Sequence, residues 1–237
     1  MKIRDWIAFL DKDASPLRVR ELILAYVCYA LPTNLVIGRA FSSLAMRSIV
    51  FDTSSTLFLS SLIYSVIISV STARMIESGS LAWLMTMPFH RKRFLYARQL
   101  FQLLTAQVAF SIPTVLFFFY ETFYLNYYQL AIMETLLFGT LLLYISLGNL
   151  VASIVRTPLA SLGIMLALLY FLTEYVSRLF AANFGVRTTL FGVYNLAFVQ
   201  PSYSQILYVT LSEASLGIGF IFLYIFVLRL VNLRGGK

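Results

Sequence analysis

The sequence predicts an all-α integral membrane protein with six transmembrane helices, from its apolar content, the length of its uninterrupted apolar runs and the placing of Lys and Arg beside those runs. Of 237 residues, 60% are hydrophobic and 12% charged, with a mean hydropathy of +0.84. A water-soluble domain carries about twice that share of charge, roughly 25%. Lipid offers backbone N–H and C=O groups no hydrogen bonds, so spanning segments must be helices or a closed barrel. Continuous apolar runs, rather than alternating stretches of about ten residues, select helices.

Taken in order, the chain opens with MKIRDWIAFLDKD, where Ile3, Trp6, Ile7 and Leu10 recur at helical spacing. Charges break the run too early for a signal-peptide core, so no cleavage is expected. Residues 1–15 read instead as an amphipathic helix lying on the cytoplasmic surface, anchored by Trp6. Ser15 and Pro16 then supply the N-cap and first turn of the next helix.

Apolar stretches near the roughly 20-residue length that crosses a bilayer fall at Leu22 to Gly38, Thr53 to Thr72, Leu100 to Tyr120, Gln129 to Val155, Leu159 to Val176 and Ile206 to Leu228. A further run, Thr189 to Val199, is too short to cross and contains Gly192 and Asn195, so a short re-entrant or interfacial element is expected before the sixth span. It lies in an extracytoplasmic segment over residues 180–204, and one transmembrane domain is expected over residues 1–237. FFFYETFYLNYY, around residues 117–128, is read as an aromatic belt at the outer interface. Pro32 and Pro113 are positions for helix kinks, and Gly217 and Gly219 for close helix approach.

Lys and Arg in short flanking loops resist translocation and so fix orientation. With the N-terminus in the cytoplasm, fourteen of the eighteen lie inside; Arg39, Arg47, Arg178 and Arg187 fall outside. Both termini are therefore expected in the cytoplasm of a multi-pass protein of the cell membrane. The formal charge of +8 is explained by this placing, and no nucleic-acid partner is expected.

Composition excludes several chemistries. Cys28 is the only cysteine, so the chain alone makes no intramolecular disulfide, thiolate zinc site or iron–sulfur cluster. His90 is the only histidine and lies outside the spans, which argues against a haem carrier. No Ser and His pair lies within the spans and no HExxH motif occurs, which argues against an intramembrane protease. No catalytic, metal or cofactor residue is assigned, and the chain is not expected to be an enzyme.

The cytosolic connection over residues 74–98 departs from what a linker needs. Ser78 or Ser80 can cap a short helix whose apolar positions Leu81, Leu84 and Met85 share a face, and Pro88 ends it. Arg91, Lys92 and Arg93 then hold the start of the third span at the anionic inner leaflet. A short helix outside the bilayer must cover that apolar face with lipid headgroups or a protein partner.

In this loop the order Glu77, Gly79, Leu81, Leu84, Pro88 and Arg91 or Arg93 resembles that in permease subunits of type-2 ATP-binding-cassette transporters. The likeness extends to the layout of spans, the surface helix and the segment before the last span. It implies that the loop is a coupling helix through which cytosolic nucleotide-binding ATPase subunits, holding ATP and Mg, drive a pair of permease subunits, identical or homologous, more often in export. The sequence has no G-x-x-x-x-G-K-[ST] phosphate loop; its only Gly-Lys is Gly236-Lys237. Hydrolysis would belong to the partner.

Carboxylates inside spans are costly unless paired, protonated or hydrated. Glu134, Glu174 and Glu213 are therefore candidate pathway or ion-pair residues, with Glu174 and Arg178 spaced for a local pair on one helix face. The same three carboxylates suit an alternative, a secondary transporter driven by an ion gradient. That fold class often carries inverted repeats, and none is evident between residues 1–118 and 119–237. A non-transporting subunit of a membrane complex is the third class.

Overall fold

A computed structural model describes residues 46–81, 91–121, 127–172 and 203–234. Among these the regular structure is entirely helical: α1 Met46–Glu77, α2 Arg91–Glu121, α3 Tyr127–Val155, α4 Pro158–Phe171 and α5 Tyr203–Arg234, with no strand. The expected first span, the surface helix over 1–15, the re-entrant element near 189–199, and Leu84, Pro88, Glu174 and Arg178 lie outside the described residues.

Two of these helices contain stretches long and apolar enough to cross a membrane, Glu134–Val155 in α3 and Thr210–Leu230 in α5. α1, α2, α3 and α5 outrun the apolar runs that announce them. α1, with 32 residues, is about 48 Å long at 1.5 Å per residue, well over a bilayer's roughly 30 Å hydrocarbon core.

α3 sits at the centre and packs against each of the other four described helices. Side-chain contacts give the directions. Thr72 meets Arg98 and Tyr64 meets Phe110, so α1 and α2 are antiparallel. Gln99 meets Ser146 and Gln107 meets Glu134, so α2 and α3 are antiparallel as well. α5 runs parallel to α3, since Gly139 lies against Glu213 and Gly217 against Leu142.

The turn between α3 and α4 is set by local chemistry. Arg156 takes φ 63° and closes α3 with its N–H on the Ala152 carbonyl at 3.0 Å. Thr157 is extended, as a residue before proline prefers, and Pro158 enters at the first turn of α4, where no N–H is needed. A left-handed arginine is costlier than a glycine there by roughly 1–2 kcal/mol; the exposed side chain keeps a positive charge on the turn.

Three apolar clusters join the bundle. Tyr64, Ile68, Leu103, Phe110, Leu137 and Leu141 lie in one, spanning α1, α2 and α3. A second joins Leu81 to the start of α2 and the end of α5. The third ties α3 to α4 through Tyr144, Leu147, Met165 and Leu169. The outside of the bundle is apolar too: Leu100, Leu104, Val108 and Ile112 form an exposed stripe on α2, and Leu211, Phe222 and Phe226 are exposed on α5.

Candidate functional site

The end of α1 is built by the MIESGS segment. Gly79 has φ +72°, and a Cβ there would meet nothing within 4 Å, so conformation rather than space calls for glycine. Ser78 N–H donates to the Arg74 carbonyl at 2.9 Å and Gly79 N–H to the Ile76 carbonyl at 3.1 Å. The Ser78 and Ser80 hydroxyls lie 2.9 Å apart and donate to the Met75 carbonyl at 3.3 and 3.1 Å, capping the helix from outside. Ser80 and Leu81 are helical again.

This break sorts the residues singled out in the loop. Glu77, Ser78 and Gly79 are exposed, together with Arg74. Leu81, expected on an apolar face in need of cover, is only 2% exposed and is covered by the chain itself, in a cluster with Phe94 and Leu95 of α2 and Tyr224, Ile225 and Leu228 of α5. Arg91 and Arg93 belong to the first turn of α2. The exposed turn is thus tied through one leucine to two further helices.

Next to this loop the bundle interior is polar. On α1, Ser61, Ser65, Ser69 and Thr72 are all buried at helical spacing. Thr72 Oγ1 donates to Asn149 Oδ1 at 2.8 Å, and Asn149 Nδ2 donates to Gln102 Oε1 at 2.9 Å, linking α1, α3 and α2. Gln99 Nε2 donates to Ser146 Oγ at 2.9 Å, and the Ser69 and Ser161 hydroxyls bond at 2.7 Å between α1 and α4. Arg98 contacts Thr72 Oγ1 at 3.4 Å and Met75 Sδ at 3.0 Å and lies beside the Tyr224 hydroxyl. Sequence reasoning did not single out these side chains, although the recurrence of small polar residues at 61, 65, 69 and 72 signals a helix face that turns to the bundle interior.

Two of the three carboxylates expected inside spans, Glu134 and Glu213, are described. Glu134 is half-buried on α3; its Oε2 accepts from Gln107 Nε2 at 2.6 Å and from Ser111 Oγ, both of α2. Glu213 on α5 is 1% exposed, with Oε2 lying 3.2 Å from Thr140 Oγ1 of α3. The two carboxylates occupy separate contacts, one between α2 and α3 and the other between α3 and α5. Among the described residues no group of three or more His, Cys, Asp and Glu is placed to hold a metal ion.

No family model matches the chain, and no curated protein or solved structure matches it.

Proposed function

We propose that the chain is the membrane-spanning permease subunit of an ATP-driven transporter of the type-2 ATP-binding-cassette kind, an exporter, with six spans and both termini in the cytoplasm of the cell membrane. The α1–α2 connection carries this reading. It pairs an exposed turn, Glu77 to Gly79, with Leu81 seated among α2 and α5, so a load applied to the turn acts on three helices together. Cytosolic ATPase subunits would bind Glu77 and Gly79 directly, with Leu84, Pro88, Arg91 and Arg93 completing the contact; Leu81 would serve as the anchor inside the permease. ATP and Mg stay on those partners.

A second permease subunit, identical or homologous, would complete the pathway. Partner contact that differs between ATP-bound and ATP-free states would shift the pair between inward-facing and outward-open packings, because a ligand moves such an equilibrium only by its difference in affinity for the two. The apolar outside of α2 and α5 suits a bilayer, where exposed leucine and phenylalanine carry no penalty.

The test is purification in mild detergent from the native source. Co-purification of a phosphate-loop ATPase, lost in Glu77→Lys while the helical signal and melting temperature stay unchanged, is the expected result. Absence of any ATPase together with gradient-driven transport by the chain alone would overturn it. That outcome would favour the ion-coupled secondary transporter, whose supporting observation is the placing of Glu134 and Glu213 at helix contacts inside the bundle.

A further inference from the structure

We propose that Glu213 is a proton-binding site within the bundle: its carboxyl holds a proton while α3 and α5 are packed and exchanges it only when that contact opens. Thr140 Oγ1 carries one proton and has two oxygen neighbours, the Leu136 carbonyl at 2.9 Å and Glu213 Oε2 at 3.2 Å. The carbonyl can only accept, and it is the nearer, so it takes the hydroxyl proton. The remaining contact is then a hydrogen bond only if Oε2 brings a proton of its own.

The surroundings agree. Glu213 Oε1 is buried without a partner, although the Tyr144 and Thr210 hydroxyls lie nearby and are also buried without partners. A carboxylate would draw such donors in; left unpaired at this depth its charge would be costly, whereas a neutral acid leaves only one weak acceptor unmet. Among the described residues no Lys or Arg pairs with it. Tyr144 is the titratable group that faces it from α3. α2, which also touches α5, presents Arg98 beside Tyr224, about three helical turns farther along.

Exchange is gated by packing. A Cβ at Gly139 would lie 3.0 Å from Glu213 Oε2 and 3.4 Å from the Thr210 carbonyl, and a Cβ at Gly217 would lie 3.1 Å from the Leu142 carbonyl oxygen. The two helices approach backbone to backbone on either side of the acid. Gain or loss of the proton therefore reports separation of α3 from α5. The site requires no ATPase partner, so its test stands apart from that of the transporter reading.

The experiment is infrared spectroscopy of the purified chain in lipid vesicles at neutral pH, where exposed carboxyls are ionised and absorb away from the carboxylic-acid C=O band. A band from one protonated carboxyl is expected, lost in Glu213→Gln, kept in Glu134→Gln, and slow to shift after transfer to heavy water. Thr140→Val, which keeps the fold's shape, should move the same band to higher wavenumber as the acid loses its acceptor. An acid band that survives Glu213→Gln intact, or is absent from the unaltered chain, or does not move in Thr140→Val, overturns the proposal.

Discussion

At Gly148 α1 and α3 approach closely, and replacing it by alanine measures that contact. A Cβ at this position would lie 2.8 Å from the Ser65 carbonyl oxygen and 3.5 Å from Ser69 Cβ. The obstructing atom is helix backbone, which cannot rotate aside, so α1 and α3 must part by several tenths of an ångström. Forced overpacking of this kind costs about 1–3 kcal/mol. Against it, alanine in a helix interior gains roughly 1 kcal/mol over glycine. Gly163→Ala and Gly219→Ala provide the reference, since a Cβ at either position meets nothing within 4 Å. The propensity gain is common to all three, so the difference between Gly148→Ala and Gly163→Ala isolates the clash at ~1–3 kcal/mol. For a chain of this size that corresponds to roughly 2–12 °C in melting temperature. Thermal unfolding in detergent, followed by helical circular dichroism, supplies the number. A Gly148→Ala protein that melts at or above Gly163→Ala would refute the close approach of α1 and α3.

Leu81→Ala removes the side chain that pins the loop to α2 and α5 and should cost about 2–5 kcal/mol; the same melting assay checks it, and a loss under 1 kcal/mol would place Leu81 outside the core. Asn149→Ala takes the donor from Gln102 Oε1 and the acceptor from the Thr72 hydroxyl, which keeps its contact with Arg98, at about 1–3 kcal/mol for a group left unpaired; Asn149→Ala in a Gln102→Leu, Thr72→Val background should cost clearly less. Ser69→Ala and Ser161→Ala should each destabilise by about 1 kcal/mol, with the double variant close to either single one, because the second substitution removes a group already stranded. Additive losses in that cycle would show that the two hydroxyls do not bond.

Several helices were legible as apolar runs: Thr53 to Thr72 lies inside α1, Leu100 to Tyr120 inside α2, Gln129 to Val155 inside α3 and Ile206 to Leu228 inside α5, while α4 holds the run Leu159 to Val176 only as far as Phe171. What an apolar run does not mark is where a helix ends. Hydropathy stops near the first charge, whereas the backbone hydrogen bonding of α1 continues through Arg74 to Glu77 and that of α5 through Arg229 to Arg234. The cover of Leu81 was illegible for a different reason. An apolar residue in a polar loop states that it needs a neighbour, but Tyr224, Ile225 and Leu228 lie at the far end of the chain, and only the packed register of α5 brings them there. Likewise Glu213 stands out as a lone carboxylate in an apolar run, while its contact with Thr140 depends on how α5 slides along α3.

α3 and α5 pass the same test of length and apolarity, yet α3 is mostly buried and α5 mostly exposed. Apolarity cannot separate them, because lipid tails accept leucine as readily as a neighbouring helix does. Specificity then has to come from what lipid does not offer. Here that is close backbone approach at Gly139, Gly148 and Gly217, and hydrogen bonds between helices such as Thr72–Asn149–Gln102 and Gln99–Ser146. Interhelical polar contacts in membranes average only about 0.6 kcal/mol each. A packing held by a handful of them can be exchanged for another at a cost of a few kcal/mol, provided that the polar groups find new partners or water. The polar interior lies beside the loop whose exposed turn is the proposed point of load, and Arg98 touches both, through Met75 and Thr72. A push at Glu77 to Gly79 would therefore act first on the contacts easiest to remake, which is the property a switching pathway requires and a leucine-filled core lacks.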